Sequence, residues 1–409
     1  MKITRTTGLL AVTAAAALVL TACGSDNNAT TTSSATTTAA ASSTEAAATS
    51  AEATTEGSET SEGTDTGSSE TGGSAAPGET PTFEGEGFAC ATGSLASSGS
   101  TAQGKAISKW IIDYNAKCGA TIADYGGGGS GKGVTDWLAK QTDFAGSDSA
   151  LKEDQVEPAK ERCGGNEGID LPMVTGPIAL AYNLDGVDKL VLTPELLSGI
   201  FGGTIVTWND PKIAEANPDV TLPAVAIATV HRAEESGTTD NFAKYLAEAG
   251  DWQFEGGKAW TAPGGAAEQG NDGVGKAIAA TAGSIGYVEW GFAKDNNLPM
   301  AWIDNGAGAV ELTAESAGKA VAAATIAAPD SKTLALKIDY ATQEPGAYPV
   351  ILVTYEILCA AGNGDKAELL KSFLGYTATD GQGSLVGVGA APLPAEIQTK
   401  VIAAVKELS

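Results

Sequence analysis

Histidine occurs once in the 409 residues, at His231, and no two cysteines stand as Cys-x-x-Cys. A zinc site built from cysteine and histidine therefore lacks donors, as does a phosphatase resting on a metal cluster, so we expect no metal and no cofactor. Basic residues are scarce too: 24 Lys and Arg stand against 50 Asp and Glu, a formal net charge of −26. So acidic a surface repels a phosphodiester backbone and argues against nucleic acid as a partner. Any anion site must then work through local dipoles and a few cations against the field of the whole chain. Between Gly24 and Gly87, Lys and Arg are missing, and large apolar side chains are nearly absent until Phe83. A stretch of Ala, Thr, Ser, Gly and Glu cannot bury enough surface to offset its ordering entropy. As a flexible coil of roughly 64 residues it has an end-to-end distance of roughly 45 Å, which suits a tether; its Thr and Ser density permits O-glycosylation.

What is present at the start is Lys2, Arg5 and an uncharged run from Thr6 to Leu20. That is the layout of a secretory signal, expected over residues 1–22, and the run is too short to span a bilayer. Leu20-Thr21-Ala22-Cys23 follows, which resembles a bacterial lipobox. The resemblance implies cleavage before Cys23, acylation there, and attachment to the outer face of the cell membrane by several acyl chains, above the threshold for stable anchoring. Residues 23–87 are then the lipidated cysteine and its tether. Cys90, Cys118, Cys163 and Cys359 remain, an even number suited to an oxidising compartment. Three pairings are possible; we expect Cys118 with Cys163 and Cys90 with Cys359, the latter joining a first strand to a late element.

From Phe88 onward, strand-like runs alternate with helical ones. Strands are expected at 93–97, 120–125, 144–147, 171–183, 224–230, 285–288 and 348–355. Helices are expected at 102–118, 134–140, 193–201, 212–217, 240–249, 272–280, 314–324, 366–374 and 395–408. In the first helix Ile107, Trp110, Ile111 and Tyr114 fall on one face. The alternation predicts an α/β fold with mostly parallel sheets and ligands at the carboxyl ends of strands. The folded part is long for one core and divides more naturally into two lobes.

Three strand ends run through Gly, Ser or Thr directly into a helix: Ser97-Ser98-Gly99-Ser100-Thr101, Gly126-Gly127-Gly128-Gly129-Ser130-Gly131 and Ser236-Gly237-Thr238-Thr239. Each offers unpaired backbone N–H groups, a hydroxyl and the positive end of a helix dipole. Singly, each reads as a plain N-cap; the third has Arg232 four residues before it, adding permanently charged, bidentate donors. Gly126 to Gly133 imitates a nucleotide-binding loop, but Gly133 stands where Ser or Thr is needed for Mg2+. A serine hydrolase would have only His231 as a histidine base, and no Gly-x-Ser-x-Gly surrounds Ser130. A sugar site would use aromatic platforms, and the Trp residues do not cluster in these loops.

Phe144-Ala145-Gly146-Ser147-Asp148-Ser149, Thr207-Trp208-Asn209-Asp210-Pro211 with Asn217-Pro218, His231-Arg232-Ala233-Glu234-Glu235-Ser236-Gly237-Thr238, Gly270-Asn271-Asp272-Gly273 and Ile285-Gly286-Tyr287-Val288-Glu289 stand in one order. That order resembles the phosphate-specific substrate-binding proteins of bacterial ABC transporters, from about Gly93 to the C-terminus. The resemblance implies a two-lobed periplasmic-binding-protein fold, type II-like, with a hinge and a central cleft, and no enzymatic activity. The implied partners are inorganic phosphate and the permease subunits of a phosphate ABC transporter. We place lobe I at 88–176 plus 341–409 and lobe II at 177–340. Carried over by motif, the phosphate contacts are Thr101, the N–H of Ala102, Ser130, Arg232, Ser236, Gly237 and Thr238, with Asp148 as the buried carboxylate. That carboxylate makes sense only if the ligand brings a proton for it to accept, as phosphate does at neutral pH and sulfate does not. An unpaired buried acceptor costs discrimination on the order of 10^4. The sequence departs from the family at Glu234, where Asp often stands and which we expect to orient Arg232, and at Lys132, where Gly often stands. A receptor of the same fold for sulfate or molybdate is the alternative.

Overall fold

The structure, a computed structural model, describes residues 87–329 and 331–409. The signal, Cys23 and all but the last residue of the tether lie outside the described residues.

In chain order the elements are β1 (Ser97–Gly99), α1 (Gly104–Cys118), α2 (Ser130–Leu138), β2 (Phe144–Ser147), α3 (Glu153–Arg162), β3 (Gly168–Asn183), β4 (Val191–Leu192), α4 (Pro194–Phe201) and α5 (Pro211–Ala216). There follow β5 (Ala228–Arg232), α6 (Gly237–Ala249), β6 (Ala266–Glu268), α7 (Gly270–Ala280), β7 (Ser284–Glu289), α8 (Trp290–Asp295), β8 (Trp302–Asp304), β9 (Ala309–Val310) and α9 (Ala314–Ala322). The chain closes with β10 (Thr325–Ile326), β11 (Leu336–Lys337), β12 (Ile351–Cys359), α10 (Ala367–Ala378) and α11 (Ala395–Lys406). The principal sheet runs β1-β2-β12-β3-β7-β5-β6, with small sheets β4-β8-β9 and β10-β11 beside it.

The alternation is borne out, but the mostly parallel sheet is not. β1/β2, β5/β6 and β5/β7 are parallel, whereas β2/β12, β12/β3 and β3/β7 are antiparallel. The reason is β12, a late strand that inserts antiparallel between β2 and β3, and β3 itself, which serves two neighbours in turn. β3 pairs with β12 over Gly168–Pro177 and with β7 over Ile178–Asn183. One 16-residue strand thus carries two sheet halves. Its interior residues are buried throughout, as is all of β12, giving the continuous apolar character of strands covered on both faces.

α1 buries Ile107, Trp110, Ile111 and Tyr114, the face its spacing predicts, and ends at Gly119 in the left-handed region (φ 66°). The expected strand at 120–125 is not one: the segment donates N–H bonds from Thr121 to Gly93 and from Ala123 to Leu95, but only Ser98 and Gly126 form a ladder bridge. α3 went unread because Ala159 is its one buried residue and Pro158 sits inside it, so it has no apolar stripe to detect.

The disulfides are Cys90–Cys118 and Cys163–Cys359, which corrects the expected pairing. The Tyr114 hydroxyl donates to the Ala91 carbonyl and accepts from the Ala91 amide, laying the segment around Cys90 along the last turns of α1, where Cys118 is the final residue. Cys163 caps α3 just before β3 begins, and Cys359 is the β12 residue paired with Gly168. The Cα separations are 5.2 and 5.5 Å, within bridging range.

Candidate oxyanion site at the strand ends

β1 and β2 run parallel to each other, as β5 does to β6 and β7, and the loops that follow these three strands converge: Ser100 bonds to Asp148, and Arg232 to Thr101. The turn after β1 carries Ser100, Thr101 and Ala102. Asp148 immediately follows β2. Arg232 is the last residue of β5, and Ser236 caps α6, its hydroxyl accepting from Thr239 N–H at 3.3 Å. Ser130 opens α2 after Gly128 and Gly129, whose positive φ values (109° and 92°) fold the turn back. All the residues expected at the site are brought together.

Asp148 is 3 % exposed. Its Oδ1 accepts from the hydroxyls of Ser100 at 2.5 Å and Thr354 at 2.7 Å, and its Oδ2 from Ser130 at 3.2 Å. A carboxylate has about four acceptor positions, so Oδ2 keeps one. That oxygen faces Gly237 at the start of α6: a Cβ there would lie 2.6 Å from it. Burial raises the Asp148 carboxyl above the usual range, while the three hydroxyls and the Arg232 charge oppose the rise.

Arg232 is 2 % exposed. Nη2 donates to Thr101 Oγ1 at 2.9 Å and Nη1 to Thr238 Oγ1 at 3.2 Å, while Glu234 pairs with the guanidinium. Its Nε is buried without a partner. Glu234 also accepts from Gly270 N–H at 3.2 Å, so the arginine is oriented by an acid that is itself held, as expected of that residue. Thr101 Oγ1 further accepts from Asn271 Nδ2 at 3.1 Å, which ties the first loop to the start of α7.

The Ala102 N–H donates to Ser100 Oγ at 3.1 Å, and the Ser236 N–H to the Lys258 carbonyl at 2.9 Å. The amides of Gly237 and Thr238 lie in the first turn of α6, where no preceding helical carbonyl can receive them. Lys132, the departure noted above, is half exposed and pairs with Asp136, so it is a solvated cation at the rim.

Sequence reasoning missed Ser100, Thr354, Asn271 and Asn241. Ser100 and Asn271 stood inside the quoted motifs but were not singled out. Thr354 gave no signal, since it reaches Asp148 across 206 positions of sequence. Asn241 donates from one amide to the carbonyls of Asp148 at 2.7 Å and Gly237 at 2.8 Å, stitching the end of β2 to α6. Lys258, 5 % exposed, donates to Ser147 Oγ at 3.3 Å; burial lowers its ammonium, and Asp240 and Asp148 counter this.

Helix N-termini, hydroxyls and one buried arginine around a carboxylate with a spare acceptor position define a receptor for a small protonated oxyanion. Comparison with known proteins agrees: the model of the PBP superfamily domain matches residues 84–380. "Phosphate-binding protein PstS3" of Mycobacterium bovis is 40 % identical over 322 residues, covering 77 % of this chain and 86 % of its own. "Phosphate-binding protein PstS 2" of Mycobacterium tuberculosis is also 40 % identical, over 323 residues and 77 and 87 % of the two chains. The chain belongs to the PstS family of phosphate-binding proteins within that superfamily. Among solved structures, the periplasmic phosphate-binding protein PfluDING superposes with a TM-score of 0.60 at 21 % identity over 76 % of this chain and 93 % of that one. The two-lobed architecture expected from the sequence is therefore that of its structural relatives.

Proposed function

We infer that the protein binds inorganic phosphate outside the cytoplasmic membrane and delivers it to an ABC-type phosphate importer. The observation that carries the reading is the one free acceptor position on buried Asp148, set beside the Arg232 guanidinium and the N-terminus of α6. A ligand with both an ionised oxygen and a P–OH satisfies both sides; a fully deprotonated anion leaves two negative oxygens facing each other without a proton. In this reading Thr101, Ala102 N–H and Ser130 serve from one lobe, and Arg232, Ser236, Gly237 and Thr238 from the other. A ligand touching both stabilises the closed form. Hydrogen bonds to a charged group contribute roughly 1.5 to 3 kcal/mol each, enough together for micromolar or tighter binding.

The lobes divide at 176/177 and 340/341; the exchange of partners by β3 between Pro177 and Ile178 supports the first crossing. Hydrogen exchange that gains no protection at either crossing on adding phosphate would count against this division. Attachment through Cys23 belongs to the same reading, and a Cys23→Ser protein that still fractionates with membranes would remove it.

The test of function is calorimetric titration of the protein, stripped of carried-over anion by unfolding and refolding, with phosphate and with sulfate, as wild type and as Asp148→Asn. Wild type takes phosphate and not sulfate, and the variant narrows the difference. Equal binding of both anions by wild type, or of neither, sinks the reading.

A further inference from the structure

Beneath the site lies a second buried acid. Glu356 on β12 is fully buried, and neither of its carboxyl oxygens makes a well-aligned hydrogen bond. It stands two residues from Thr354, which donates to Asp148, so the two share a face of the strand. The residue opposite it on β2 is Gly146. With no side chain there, the space is taken by Gln103 and Tyr125: a Cβ on Gly146 would fall 2.0 Å from Gln103 Nε2 and 2.3 Å from the Tyr125 hydroxyl. Gln103 Nε2 donates to that hydroxyl at 3.2 Å, while Gln103 Oε1 is buried without a donor. The Gln103 amide reaches the Glu356 carboxyl and favours its ionised form. The amide's Nε2 already donates to Tyr125, however, and its Oε1 has no donor, so a proton on Glu356 would supply the donor that this buried pair lacks.

We propose that Glu356 is a positioning residue for oxyanion binding: protonated, it donates to Gln103 Oε1 and fixes the loop carrying Ser100, Thr101 and Ala102, and when ionised it releases that loop and adds a second buried negative charge under the anion. Gln103 caps α1, so it directly follows that loop. The titratable groups facing Glu356 are Tyr125, from the segment before α2, and Asp148, at the end of β2. α1 presents neutral Gln103, and β3 presents Leu171 opposite. No cation is among these neighbours. Burial pushes the Glu356 carboxyl up to about 8, against the opposing pull of the Gln103 amide and with the Asp148 charge adding to the rise. The consequence is an alkaline limit on binding set by a group that does not touch the ligand.

This inference rests on the phosphate reading, and its test separates the two. Phosphate affinity is measured from about pH 6.5 to about pH 9.5 for wild type, Glu356→Gln and Glu356→Leu, each checked for cooperative unfolding. The glutamine keeps a neutral donor toward Gln103, so its affinity at the acid end stays within about threefold of wild type. At the alkaline end wild type falls about tenfold below it, the effect of about one pK unit of coupling between the new charge and the bound anion. Ionisation of phosphate itself is common to all three proteins and cancels in the ratios. The leucine, folded but without a donor, binds more weakly than the glutamine at every pH. A wild type and a glutamine variant that decline in parallel overturn the role of Glu356 while leaving the phosphate reading intact. A wild type that binds no phosphate at the acid end overturns both.

Discussion

Replacing Gly237 by alanine puts a methyl group between the wall that bears Asp148 and the helix that faces it. The added Cβ would lie 2.5 Å from Asp148 Cβ, 2.5 Å from Ser130 Oγ and 2.6 Å from Asp148 Oδ2. None of these can step aside cheaply, because Ser130 and Asp148 are buried and bonded to each other twice. Overpacking of this kind costs roughly 1 to 3 kcal/mol, which corresponds to phosphate binding weaker by roughly 5- to 150-fold. The helix itself tolerates the change: Gly237 is the first residue of α6 and is not in the left-handed region, so alanine there gains about 0.4–1 kcal/mol by restricting the unfolded chain. The two effects separate in a thermal shift assay. The ligand-free melting temperature stays level or rises slightly, while the increment given by saturating phosphate shrinks. Wild-type affinity in a variant with an unchanged melting temperature would refute the claim that α6 must press against Asp148 for the ligand to be held.

Arg232→Lys keeps the charge but cannot reach Thr101 and Thr238 together; losing one charged hydrogen bond costs about 1.5–3 kcal/mol, and calorimetry should show phosphate affinity reduced roughly 10- to 150-fold. Glu289 is buried, its Oε2 accepting from Gly291 N–H at 3.0 Å, and burial pushes its carboxyl up to about 8. Its folded value exceeds its unfolded one, so its contribution is fully present below about pH 4.3, the unfolded value, and is lost as the pH rises to about 8. Denaturant titrations should therefore show Glu289→Gln gaining on wild type across that window and levelling off above it; a constant difference would contradict this. Of the two disulfides, Cys163–Cys359 closes a separation of 196 residues and Cys90–Cys118 one of 28. Chain entropy assigns them about 5 and about 3.6 kcal/mol, so the Cys163→Ser, Cys359→Ser double variant should melt below its Cys90→Ser, Cys118→Ser counterpart, and the reverse order would count against the loop-length argument.

The site was legible wherever its chemistry is local. Ser130, Ser236 and Arg232 stand at strand-to-helix junctions, where glycine, hydroxyl and helical periodicity coincide within a few residues, and the structure assembles them as read. What escaped are contacts made across the sheet. Thr354 donates to Asp148 because β12 inserts beside β2, and nothing in the local pattern of β12, buried along its whole length, announces which neighbour it takes. The same insertion turned an expected parallel sheet into a mixed one. The cysteines fail for a related reason: their pairing depends on which segment lies along the last turn of α1, and that is set by Tyr114 and the chain around Ala91. α3 was invisible because it lies on the surface and buries a single alanine.

Cys163 and Cys359 lie just before β3 and at the end of β12, and no cysteine stands between them. Everything from residue 164 to residue 358, including Arg232 and α6, is therefore one covalently closed loop. A protease that cuts anywhere within it yields two polypeptides that remain a single molecule until the bond is reduced. A nicked receptor would run at full mass on a non-reducing gel and keep the two walls of its anion site on one covalent body.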